Sequence, residues 1–216
     1  MVDFFSQPFV VKVCGMTSTA DAEDAIAAGA DAIGVIVCSS TRRVDAATAR
    51  EITTAVAGRA ATVVVVRSDE PESVEVALAG VGADLVQVHG ELTPDVRARL
   101  RSAGLGVIKV LAIGEPGFGD FDDAVVDALI FDGAQPGRGV EHSFVELLSR
   151  PFARPVIAAG GLTPESVAKV VKYWDVWGVD VATGVESAPG VKDAAKVGAF
   201  VAAARAAFDE READRG

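Results

Sequence analysis

Eight times along the chain a short run of Val, Ile, Leu and Ala is followed by an Ala-rich amphipathic stretch. The strand-like runs are Val10–Cys14, Ala32–Val37, Ala61–Val66, Leu85–Val88, Val107–Ala112, Ala128–Phe131, Val156–Ala159 and Val179–Ala182. Helix-like stretches follow at 18–29, 46–56, 72–80, 94–103, 121–126, 143–148, 164–173 and 191–208. The runs are continuously apolar, as strands covered on both faces must be. Spread over eight units, 216 residues allow about 27 each, near the roughly 30 that one right-handed βαβ unit needs. So many parallel units in so short a chain predict one α/β domain, a closed (β/α)8 TIM barrel spanning residues 1–216. An open doubly wound sheet is the rival, but no Gly-x-Gly-x-x-Gly turn follows the first strand.

Composition narrows the function. The net charge is −11, and a nucleic-acid surface should be basic, so no nucleic-acid partner is expected. No apolar run reaches the roughly 18 residues of a membrane span, and the N-terminus lacks a signal-peptide pattern. A soluble, cytoplasmic protein, monomer or homodimer, is expected. Among the basic residues Arg outnumbers Lys 14 to 6, and among the acidic residues Asp outnumbers Glu 18 to 13. An Asp-rich, Lys-poor surface suits high salt, so a halophilic archaeon is the expected source. Two cysteines and two scattered histidines make neither a disulfide framework nor a metal site, and no metal or cofactor is expected.

In a barrel the chemistry sits where strands end. Polar residues and glycines collect there: Cys14-Gly15-Met16-Thr17 after the first strand, Cys38 to Arg43 after the second and Gln87-Val88-His89-Gly90 at the fourth. Asp132-Gly133 ends the sixth, Gly160-Gly161-Leu162-Thr163-Pro164 the seventh and Asp180 to Gly184 the eighth. Gly160-Gly161 ahead of Thr163 as N-cap and Pro164 at N1 reads as a turn onto a helix start, which favours an anion; Thr183-Gly184 offers a second such turn. Glycines that only make tight turns are the plain alternative. Cys14 reads either as a small buried apolar residue or as a base, which would require its thiol pKa to be lowered. Asp132 reads as a loop cap or as a general acid. Arg42 reads as a solvated cation or as a bidentate carboxylate binder, and Asp180 faces either a ligand or a hydrogen bond in loop 8.

Five segments together resemble the phosphoribosylanthranilate isomerase family over nearly the whole chain, from Val11 to about Val201. They are Lys12-Val13-Cys14-Gly15-Met16-Thr17, Val86-Gln87-Val88-His89-Gly90, Ala159 to Glu165, Gly178 to Glu186, and Pro189-Gly190-Val191-Lys192-Asp193. The resemblance implies a TIM barrel that performs an Amadori rearrangement of N-(5-phosphoribosyl)anthranilate without cofactor or metal. It implies that Cys14 is the base that removes the C2′ proton, and that Asp132 is the acid that protonates the furanose oxygen. It implies that Arg42 holds the anthranilate carboxylate, that Gly160, Gly161, Thr183 and Gly184 hold the phosphate, and that Asp180 faces the ligand. The chain departs from the family at 136–144, where Ser143-Phe144 stands for Asp-Trp and Arg138 is a candidate anion binder. It departs again at Ala182, where a serine is usual. Other phosphosugar isomerase or epimerase barrels, and a barrel that binds a phosphorylated ligand without turnover, remain open at this point.

Overall fold

The computed structural model describes residues 4–112, 125–133 and 152–215. Eight parallel strands close into a barrel in sequence order: β1 Val10–Cys14, β2 Ala32–Ile36, β3 Ala61–Arg67, β4 Leu85–His89, β5 Gly106–Ala112, β6 Ala128–Asp132, β7 Val156–Ala159 and β8 Gly178–Val181. The expected TIM barrel is therefore the observed fold, and each strand lies within one or two residues of its expected span. The ring shuts where β1 pairs with β8, with Lys12 opposite Asp180 and Val13 opposite Val181.

The described helices are α1 Thr19–Ala27, α2 Ala46–Val56, α3 Pro71–Leu78, α4 Pro94–Ser102, α5 Val167–Tyr173 and α6 Ala194–Arg215. Ser18 caps α1 by accepting from the Asp21 amide, Asp45 caps α2 through Thr48, and Thr93 caps α4 through Val96. Two boundaries need correction. The closing helix expected over 191–208 runs Ala194–Arg215, because Val191–Lys192 pair as a strand with Glu186–Ala188. The helix expected from Pro164 begins at Val167, because Pro164–Ser166 form a turn in which the Thr163 carbonyl accepts from both the Ser166 and Val167 amides. The Ser166 hydroxyl accepts from the Thr163 amide, so Ser166 and not the Thr163 side chain closes that turn. The helices expected at 121–126 and 143–148 and the divergent stretch 136–144, with Arg138 and His142, fall wholly or largely outside the described residues.

Side chains alternate along every strand. Val11 and Val13, Ile33 and Val35, Val64 and Val66, and Val86 and Val88 point outward and join the helices in one large core. Val10, Ala32, Ala61, Val63, Leu85, Ile108 and Ile130 point inward and fill the lower barrel. The 3-10 turn Phe4–Ser6 closes that end: Phe4 sits edge-on to Trp177 at a centroid distance of 5.2 Å, and the Trp177 indole donates to the Gln7 carbonyl at 3.0 Å. Among the described residues, no helix is long and apolar enough to cross a membrane.

Candidate active site

The same alternation that puts Val10 at the bottom puts Lys12 and then Cys14 on the inner face of β1, one layer higher each time. Asp132 follows by the same rule two residues after Ile130, and Asp180 two residues after Gly178. At the strand ends Cys14, Asp132 and Asp180 line a cavity of about 290 Å³. The expected catalytic and substrate-binding residues Cys14, Arg42, Asp132, Gly160, Gly161, Asp180, Thr183 and Gly184 all border it. Cys14 and Asp132 stand at the tips of β1 and β6, three strands apart around the ring.

The loops after β6, β7 and β8 are packed together at this rim. Gly160 has φ of +93°, and a side chain there would strike the backbone of Gly133 and, at 2.6 Å, the Asp132 carboxylate. A side chain on Gly184 would overlap the Leu162 carbonyl oxygen. Glycine at both positions lets the loops touch and brings backbone to the cavity wall.

The structure bears on three side chains whose readings were open. As a base, Cys14 would need a lowered thiol pKa. Burial instead pushes it above its ordinary value, opposed chiefly by Lys12 and raised further by Asp180. Asp180 borders the cavity, and its hydrogen bond comes from β1 rather than from loop 8. Its Oδ2 accepts from the Lys12 ammonium at 2.9 Å, while Oδ1 is buried without a hydrogen bond. Arg42 is not a solvated cation. Its Nε donates to Glu186 at 2.6 Å and its Nη2 to Glu186 at 2.8 Å and to the Thr183 hydroxyl at 3.0 Å.

Sequence reasoning passed over Lys12, Glu186 and Lys192. Lys12 is fully buried. Burial works against its charge, yet Asp180 and Cys14 more than offset this and hold the ammonium above its usual value. The signal was available, since a lysine two residues before Cys14 in a strand must share its face. Glu186 begins the hairpin β9 Glu186–Ala188 with β10 Val191–Lys192. Lys192 donates to Glu186 at 3.1 Å and to the Ala182 carbonyl at 3.0 Å, and the Thr17 hydroxyl donates to the Gly190 carbonyl at 2.7 Å. The hairpin thus ties loops 1, 2 and 8 into one wall. Burial would raise the Glu186 pKa, but Arg42 and Lys192 keep it below the usual carboxylate range.

The facing wall is quieter. His89 at the end of β4 is lowered to about 4, first by burial and then by the cations Arg67, Lys109 and Lys12. It is neutral at pH 7, with Gln87 Nε2 at 3.3 Å from its Nε2. Cys38 is a buried free thiol raised to about 11 by burial and by Glu70. Among the described residues, no group of three or more His, Cys, Asp or Glu is placed to hold a metal ion.

Residues 11–203 match the family model described as N-(5'phosphoribosyl)anthranilate (PRA) isomerase. An N-(5'-phosphoribosyl)anthranilate isomerase of Rhodopseudomonas palustris is 37% identical over 92% of this chain and 97% of its own length. One from Natronomonas pharaonis is 40% identical over 90% and 97%. A solved phosphoribosyl anthranilate isomerase, in complex with reduced 1-(o-carboxyphenylamino)-1-deoxyribulose 5-phosphate, superposes with a TM-score of 0.74 at 26% identity, covering 92% of this chain and 99% of that one. A bacterial and an archaeal relative match about equally, so the halophilic archaeal source expected from composition does not follow from kinship.

Proposed function

The chain belongs to the PRA isomerase family, and we propose that Cys14 and Asp132 divide the acid–base work of the reaction between them. The protein is an isomerase of tryptophan biosynthesis that converts N-(5-phosphoribosyl)anthranilate to 1-(2-carboxyphenylamino)-1-deoxyribulose 5-phosphate. Epimerase chemistry is thereby set aside.

Asp132 protonates the furanose ring oxygen, the ring opens to a Schiff base, and Cys14 takes the C2′ proton to leave the enolamine, which becomes the ketone. The observation that carries this assignment is the pair itself: a sulfur and a carboxyl at two strand tips bordering one cavity. The touching loops after β7 and β8 support a phosphate seat at Gly160, Gly161, Thr183 and Gly184. The substrate is an anion at both ends and the protein carries −11, so the seat must supply local positive potential. Arg42, fixed on Glu186 and Thr183 and lining the same cavity, supplies it for the anthranilate carboxylate.

The test is turnover followed by anthranilate fluorescence, in dilute buffer and in molar salt, with chelator added to one arm. We expect turnover that chelator leaves unchanged and that molar salt supports, in keeping with an acidic, lysine-poor surface. Binding of a product analogue without turnover would instead make this a ligand-binding barrel. The cytoplasm fits the two free thiols.

A further inference from the structure

A base with its thiol raised by burial needs a partner that makes the thiolate easier to form. Lys12 stands in that place. It lies two residues before Cys14 on the same inner face of β1, and both side chains converge over Gly34 of β2. A methyl group added to Gly34 would sit 2.6 Å from the Cys14 sulfur and 3.3 Å from the Lys12 nitrogen. The absent side chain of Gly34 is the room that the two atoms share. Across the closing seam, Asp180 in direct register holds the ammonium at 2.9 Å, and its other oxygen has no hydrogen bond.

We propose that Lys12 is a positioning residue for the isomerisation: its buried ammonium, anchored by Asp180, is the fixed counter-charge for the sulfur of Cys14. A lysine–aspartate pair buried in the barrel interior seldom outperforms aliphatic packing, so the charge points to use rather than to stability. The other charged or titratable groups acting on Cys14 are Asp180 on β8, Lys192 on β10, Arg42 in loop 2 and Cys38 beyond β2. Lys192 and Arg42 both pair with Glu186 on the hairpin side of the cavity. Lys12 is the cation with the largest effect on the thiol. The ammonium takes no proton in this scheme. The proton goes from C2′ to sulfur, and Lys12 stabilises the thiolate that accepts it.

This inference rests on the reading of Cys14 as the base, so the test separates the two. In a Cys38→Ser background, the ultraviolet absorbance of the thiolate is followed against pH for the parent and for Lys12→Met. We expect the midpoint to rise by about one pH unit or more, which is tenfold less thiolate at a given pH. Near neutral pH, kcat should fall about tenfold while KM stays close to the parent value, and the deficit should shrink as pH rises. An unmoved midpoint, or a loss of kcat that is the same at every pH, overturns the proposal. Lys12→Met strands Asp180 without its partner, so Lys12→Met/Asp180→Asn provides a second reading with both charges gone. Its midpoint should also rise, by less, since Asp180 opposes the thiolate; a midpoint at or below that of the parent refutes the role of Lys12. Turnover of Cys14→Ser tests the base separately. Normal turnover there, with the midpoint still moved by Lys12→Met, would leave the ion contact standing and remove its catalytic purpose.

Discussion

The two ends of the barrel interior obey the same geometry and hold opposite chemistry. At the floor every inward position is apolar: Val10, Ala32, Ala61, Leu85 and Ile108, stoppered by Phe4 against Trp177. One or two layers higher the inward positions are Lys12, Cys14, Gln87, Asp132 and Asp180. Backbone pairing is the same throughout, so the difference lies in side chains alone. The floor contributes stability through apolar burial and tight packing. The mouth gives some of it up, since a buried ion pair such as Lys12–Asp180 seldom outperforms well-packed aliphatic side chains. Charge is kept in this barrel where a substrate can use it.

That contrast can be broken from either end. The largest effect belongs to Cys14→Ser and Asp132→Asn. Each should lower kcat by about 10² or more, since positioned acids and bases are worth roughly 10²–10⁴, while Tm hardly moves. Near-normal kcat in either variant removes the role assigned to it. Phe4→Ala should do the reverse, costing about 3 kcal/mol in urea unfolding with kcat unchanged. A comparable loss of turnover would show that floor and mouth are coupled.

Acid should find the mouth first. His89 titrates at about 4 in the folded protein, against roughly 6.5 unfolded. The unfolded chain therefore binds its proton first, and stability present above about pH 6.5 is lost as pH falls toward 4, roughly 2 kcal/mol of it by pH 5. His89→Gln should flatten that slope in urea titrations at pH 7 and pH 5, and equal slopes would clear His89. The smallest effect expected is that of Gly184→Ala. Its methyl group must push the Leu162 carbonyl aside, so KM should rise about tenfold, about 1.4 kcal/mol of binding, with kcat less affected. An unchanged KM would mean that the two loops do not hold the phosphate together.

Much of this was readable before any coordinates. Apolar runs such as Ala61–Val66 and Val156–Ala159 declare buried parallel strands, and parallel strands put all their C-terminal ends on one rim. That is why Cys14, Asp132 and Gly160 could be gathered from positions far apart in the chain. What stayed hidden were partners. Lys12 and Asp180 are 168 residues apart, and Arg42 and Glu186 are 144 apart. A sequence displays the sign of each charge and gives no hint of which charge answers it across a closing seam. The direction of the Cys14 shift was hidden for the same reason, because burial is a property of the assembled ring. The Thr163 turn was misread more locally, since a Thr-Pro pair fits both a helix start and the turn before one.

The seam between the first and last strands has one more implication, for how the enzyme comes into being. A growing chain carries Lys12 long before Asp180 has been synthesised, so the ion pair and the closed ring both wait for the eighth strand. The machinery is complete only when the two ends of the ring meet.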